Sequence, residues 1–277
     1  MPAPQPSMMQ QFARLKFTSF NLKVPQNWNP PQGEDAQLYT DAFEPGDRMT
    51  SPGFPPLFQA ASLNKYHTDS QKMHIAKIGK FIDDTCDAIC SAWSQWQSMA
   101  SMVGILINAV AAAGGQIVGP PWQPLIMLKA PKGSPQELKF SNAIATVISN
   151  SWMQFTATVK VPMLPWYPAF AAFPGPVAPP MPNTPVPFAL LTQVPVSISA
   201  NVMKPQMVSQ LGDPQAPFQA ELFECICDAF EKCYNIWKTT TMVTNVMGMG
   251  AVPSFTPVTP AGPVVAGVGN MAPGGFV

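Results

Sequence analysis

The sequence predicts a mainly α-helical fold with extensive extended, proline-rich segments, few short strands and three degenerate helix-plus-strap repeats. Three observations carry this. Apolar residues recur in steps of three and four along Ile78, Ile82, Cys86, Ile89, Trp93, Trp96, Ala100, Val103, Ile107 and Val110, the period of one helix face. The pattern returns twice: Ile148 and Ser151-Trp152-Met153-Gln154-Phe155 match Ile89 and Ala92-Trp93-Ser94-Gln95-Trp96, while Cys227-Asp228-Ala229-Phe230 and Tyr234-Asn235-Ile236-Trp237 match Cys86-Asp87-Ala88-Ile89 and the same aromatic pair. Each helix then leads to an aromatic held between prolines, in Pro121-Trp122-Gln123-Pro124, Pro165-Trp166-Tyr167-Pro168 and Pro253-Ser254-Phe255-Thr256-Pro257, as an internal repeat requires.

The repeats divide the chain into an extended N-terminal arm (1–65), a first helical repeat with a Pro-aromatic tail (66–130), a second with a proline-rich strap (131–203) and a third with a Gly/Pro-rich C-terminal tail (204–277). In the arm, Phe12–Val24 alternates apolar and polar residues in part and reads as a strand or extended segment, stopped by Trp28-Asn29-Pro30-Pro31. The first helix starts near Thr68-Asp69-Ser70, which offers capping side chains, and runs toward Ala113, with Gly114-Gly115 ending it. Its last part, Met99–Gly115, is strongly apolar but contains Asn108 and paired glycines, and it is shorter than the roughly 20 residues that span a bilayer. The second helix opens with Ser134-Pro135-Gln136-Glu137, a capping serine, a proline at the first helical position and a glutamate three residues on, and should stop before Pro162. From Pro162 to Pro195 proline is too dense for a helix or a central strand, because it lacks the N–H and fixes φ. Ser197–Val202 reads as a short strand. The third helix starts near Asp213-Pro214 or Pro217 and ends around Asn245–Gly248, and the remainder is expected to be extended.

Composition explains why these segments should be buried. The 277 residues include 34 Pro and 17 Met, and 47% are hydrophobic, whereas only 11% are charged against about a quarter in ordinary globular domains. No Asp, Glu, Lys or Arg occurs in Ala88–Leu128, Val161–Met203 or Thr239–Val277. Charge keeps exposed surface solvated, so runs without it are expected to be covered by partner subunits. Formal net charge is zero, so no field steers the chain to nucleic acid.

The chemistry expected of an enzyme is missing from the sequence. His67 and His74 are spaced to share a helix face if the helix starts early enough, and with Asp69 could in principle bind a metal, but solvated surface histidines are the expected reading. Asp83, Asp84, Asp87, Glu221, Glu224 and Asp228 recur at related repeat positions, as a polar helix face does. Neither Gly114-Gly115 nor Gly248-Met249-Gly250 has the context of a phosphate loop. The five cysteines, Cys86, Cys90, Cys225, Cys227 and Cys233, are odd in number and helical, which favours reduced buried thiols and leaves disulfides between subunits as the alternative. No catalytic, cofactor or metal residue is assigned. The residues expected to pack or to form interfaces are Trp93, Trp96, Trp122, Trp152, Phe155, Trp166, Tyr167, Phe170, Phe173, Tyr234, Trp237 and Phe255.

Two stretches, Val161–Pro182 (VPMLPWYPAFAAFPGPVAPPMP) and Ala261–Val277 (AGPVVAGVGNMAPGGFV), resemble proline-rich virion structural proteins of tailed bacteriophages in their hydrophobic, charge-poor style. The resemblance implies a tail, baseplate or capsid-associated component. It also implies assembly in the host cytoplasm, in keeping with a start that has no charged region followed by an apolar core. The expected function is therefore a non-enzymatic structural subunit of a large assembly, with other structural subunits and copies of itself as partners. A secreted or injected protein that inserts amphipathic helices into membranes is the alternative, and an orphan enzyme the second.

Overall fold

The structure, a computed structural model, describes residues 3–20, 61–214, 216 and 218–277, with the side chains of 61–75 outside the description. The chain divides into two units, Met1–Phe17 with Phe81–Val277 in one and Thr18–Lys80 in the other. Everything below concerns the first; of the second, residues 18–20 at the end of one helix and the N-terminal part of one long helix are described. His67, Asp69 and His74 therefore lie outside the described side chains.

Among the described residues the architecture is α+β: six helices and a six-stranded antiparallel sheet. The helices are α1 (Pro6–Ser19), α2 (Ala61–Met99), α3 (Trp122–Lys129), α4 (Pro135–Thr158), α5 (Ala200–Leu211) and α6 (Gln219–Thr240). The sheet comprises β1 (Ser101–Asn108), β2 (Ala111–Val118), β3 (Val161–Leu164), β4 (Val177–Pro182), β7 (Val246–Ala251) and β8 (Val265–Met271), in the order β3-β2-β1-β8-β7-β4. A separate pair joins β5 (Val186–Pro187) to β6 (Met242–Val243).

The helix patterns place α4 and α6 well. Ser134 accepts a hydrogen bond from the backbone of Glu137, and Glu137 accepts one from the backbone of Ser134, closing a capping box with Pro135 at the first turn. Along α6, Phe223, Ile226, Phe230, Cys233 and Trp237 are buried in steps of three and four, the apolar face that drives docking. This helix stops at Thr240, not at 245–248, because Met242 and Val243 pair with β5.

Several expectations are corrected. Phe12–Ser19 belongs to a helix, not to a strand or extended arm: Met9, Ala13 and Phe17 form its buried stripe. The first long helix ends at Met99, and the expected continuation to Ala113 is a β-hairpin. Val103, Ile107 and Val110 prolong the helical spacing, yet Met102, Ile105 and Ile107 are the residues turned inward, the β-branched content favours strand, and the glycines weaken a helix. Ala109 takes φ 48° at the two-residue turn. Ser197–Val202 is no strand: a 3-10 turn at Pro195–Ile198 leads into α5, a helix that proline at position 205 conceals in the sequence.

The largest correction concerns the straps. The few short strands expected are a full sheet, and Thr239–Val277 supplies β7 and the central strand β8. Glycines and valines at alternating positions, not prolines, fill these strands. The proline-rich run holds no α-helix, but it alternates short strands with 3-10 turns in place of the expected extended strap, and it lies on its own chain. Backbone bonds from Tyr167 to Val110, Thr184 to Trp166, Asn183 to Val246 and Phe188 to Thr241 pin it at 2.8–3.1 Å. The tails behind the three helices therefore differ: a hairpin, a chain of short strands and 3-10 turns, and two strands of the sheet.

Candidate functional site

The three aromatic pairs converge. Trp152 on α4 lies 5.0 Å from Trp93 and 4.9 Å from Trp96 on α2, 4.5 Å from Trp122 on α3 and 5.6 Å from Trp237 on α6, ring centre to ring centre. Phe155, Phe188, Phe230, Tyr234 and Phe276 extend the cluster. Most contacts are tilted or edge-to-face, the arrangements favoured by the ring quadrupole. Polar tips are handled unevenly. Trp237 donates its indole N–H to Gln97 Oε1 at 3.0 Å, and Gln97 Nε2 donates to the Phe276 carbonyl at 3.0 Å. The indole nitrogens of Trp93, Trp122 and Trp152 are buried with no hydrogen-bond partner.

A cavity of about 260 Å³ opens at the rim of this cluster, between the β2–α3 loop and α4, lined by Trp96, Trp122, Trp152, Met153 and Gly119. Gly119 has no room for a side chain, since a Cβ would sit 2.3 Å from Trp96 Nε1. No ionisable side chain lines the cavity. Among the described residues no group of three or more His, Cys, Asp or Glu is placed to hold a metal ion.

The five thiols are buried and unpaired within the chain. Burial raises all of them, Cys225 and Cys233 to about 12, and the thiolate is correspondingly disfavoured. Cys227 Sγ lies 3.5 Å from Met207 Sδ and Cys90 Sγ 3.8 Å from Met9 Sδ, so these sulfurs serve as soft packing between helices. The carboxylates of the repeat helices act as clamps. Asp83 pairs with Arg14 at 2.6 Å, Asp87 accepts from Gln10, and Glu224 holds Lys16 and Lys204 at 2.7 and 2.5 Å.

Trp166, Tyr167 and Phe170 are buried too. Tyr167 stacks on Phe170 with ring centres 4.9 Å apart, and its hydroxyl donates to the Val246 carbonyl at 2.9 Å. Its ring lies where a Cβ at Gly248 would stand, 2.5 Å from Cζ. Phe173 and Phe255 are half-buried; Phe173 bridges to Gly262 and Phe255 turns back on Val252.

The sheet has two contrasting faces. Met102, Ile105, Ile107, Ala112, Val246 and Met271 face inward and are buried. On the outer face the register sets Leu106 beside Val268 and Val268 beside Met249, three apolar side chains 61%, 41% and 44% exposed. Val103, Val118 and Met247 are exposed around them. Both asparagines of this face accept hydrogen bonds from the sheet's own backbone, Asn270 from Gly104 and Asn108 from Ala266. All six strands fall in the stretches without Asp, Glu, Lys or Arg. The sequence reading missed these outer residues; the signal for them is the period-two alternation in SMVGILIN and VMGMGA.

Comparison with protein-family models, curated proteins and solved structures gives no match. No helix among the described residues is long and apolar enough to cross a membrane.

Proposed function

We propose that the chain is a non-enzymatic structural subunit of a large multi-subunit assembly, and that it meets neighbouring subunits through the outer face of its sheet. One observation carries this reading: an exposed face on a sheet whose six strands contain no charged residue, the edge residue Lys160 being held on the Gly115 carbonyl of β2. A freely soluble protein normally breaks such a surface with charge, whereas one that spends its working life covered has no need to. The aromatic core supports a rigid scaffold, since interdigitated indoles fix α2, α3, α4 and α6 against one another. The compositional resemblance of Val161–Pro182 and Ala261–Val277 to virion proteins makes a tail, baseplate or capsid-associated position in a tailed-phage particle the assembly we infer.

Particles purified on a density gradient from cells producing this chain provide the test. Quantitative mass spectrometry should find the chain in the particle fraction at a fixed multiple-copy ratio to the other components. Its confinement to the free-protein fraction overturns the proposal.

A further inference from the structure

We infer that the outer face of the sheet docks on the same face of a second copy, giving a two-fold symmetric dimer in which two sheets pack face to face. The inference rests on the assembly reading above and names the first partner within it.

The edges of the sheet argue against growth by strand addition. β3 carries Pro162 and β4 carries Pro179, Pro180 and Pro182, while the four inner strands contain no proline. Proline at an edge removes the N–H that a further strand needs, so the sheet is closed sideways and open on its face. Charge then selects the occupant. A partner bringing Lys, Arg, Asp or Glu to this surface would bury those groups with nothing to pair them, a cost that works against such partners. The six strands of a second copy bring none, its edge Lys160 being bonded to the Gly115 carbonyl, and they present two asparagines whose oxygens are already occupied.

Size fits as well. Six strands spaced about 4.8 Å apart, with inner strands of about seven residues rising 3.3 Å each, offer roughly 600 Å². Two copies bury roughly 1,200 Å², the lower end of specific interfaces. Leu106 and Val268 sit on the two central strands, nearest the axis of a symmetric pair, where each meets the partner's central strands and a substituted charge is buried most completely.

Sedimentation velocity of the purified chain across a dilution series, with Leu106→Glu, Leu106→Lys and Val268→Lys, decides the matter. The wild-type chain should dimerise, and each variant should raise the dissociation constant by about two orders of magnitude or more. Near-ultraviolet circular dichroism from the buried tryptophans should stay unchanged, since both positions are exposed. Mixing the Glu and Lys variants at Leu106 should restore pairing. A wild-type chain that stays monomeric at high micromolar concentration overturns the inference, as does a dimer insensitive to these substitutions or a chain that floats with phosphatidylcholine vesicles through this face. A monomeric chain still recovered in particles removes the homotypic contact and leaves the assembly reading standing; a dimer absent from particles does the reverse.

Discussion

Trp152 touches more of the aromatic cluster than any one helix could bring together, and it marks where the cost of a single change is greatest. Truncating it to Ala removes an almost fully buried indole whose neighbours are held by three other helices, so collapse into the gap is restricted. The expected loss is about 3–5 kcal/mol by denaturant titration, whereas Trp152→Phe, which keeps an aromatic face, should lose clearly less. At Gly248 the constraint is reversed. Adding one methyl group places it 2.5 Å from the Tyr167 ring and 2.7 Å from Ile107 Cδ1. That ring is fixed by its bond to Val246 and its stacking on Phe170, so it has no free rotamer to adopt. Gly248→Ala should therefore cost about 1–3 kcal/mol, and the same substitution made in a Tyr167→Ala background should cost less, by a double-mutant cycle.

At the scale of elements, α1 is the piece held by charge. It buries Met9, Ala13 and Phe17, and ion pairs from Arg14 and Lys16 tie it to α2 and α6. Hydrogen bonds from Lys16 and Lys204 lower the Glu224 carboxyl below its ordinary value. A carboxylate with a lowered folded pKa stabilises fully above the unfolded value and loses that contribution as pH falls through the folded one. Asp87 has the opposite sign: burial and the nearby Asp84 and Asp83 raise it, so acid relieves it. Protection factors of the amides of residues 6–19, taken relative to the intrinsic rate at each pH, should fall as pH drops below the carboxylate range, and Glu224→Gln should flatten that dependence; equal protection at acid pH would mean the ion pair does not hold the helix. The same scale shows what could be read beforehand. Capping and periodicity located α4 and α6 because those signals are local. The hairpin after Met99 and the helix α5 were missed because Met102–Val110 satisfies two periods at once, and Pro205 in α5 speaks against a helix that packing on α6 nonetheless sustains. The sheet escaped for a different reason: its strands come from four separate stretches, and no local pattern reports a pairing between residues 101–108 and 265–271.

For the whole molecule, the absence of charge from three long stretches had one apparent meaning, that partners cover them, and the fold divides that meaning in two. One part of the uncharged stretches is covered by the chain itself, in the aromatic cluster, the buried rings of the proline-rich run and the inner face of the sheet; another part is the outer face on which the assembly proposal rests. The C-terminal residues show the difference most plainly. β8 is hydrogen-bonded on both sides, to β1 and to β7, and beyond it Phe276 stacks on Trp96 while Val277 exchanges two backbone bonds with Met242. A strap ordered only by a neighbour would exchange its amides freely in the isolated subunit. A central strand cannot, because opening it breaks two ladders and exposes the aromatic cluster behind Phe276. Amides of Val265–Met271 should therefore exchange as slowly as those in the middle of α4, in dilute protein where only monomer is present. Removal of residues 261–277 should likewise unfold the sheet, detected as lost near-ultraviolet circular dichroism, and should not release a stable helical remainder. Rapid exchange in this strand beside slow exchange in α4 would return the C-terminal segment to the role of a strap and place the binding surface on β8 itself.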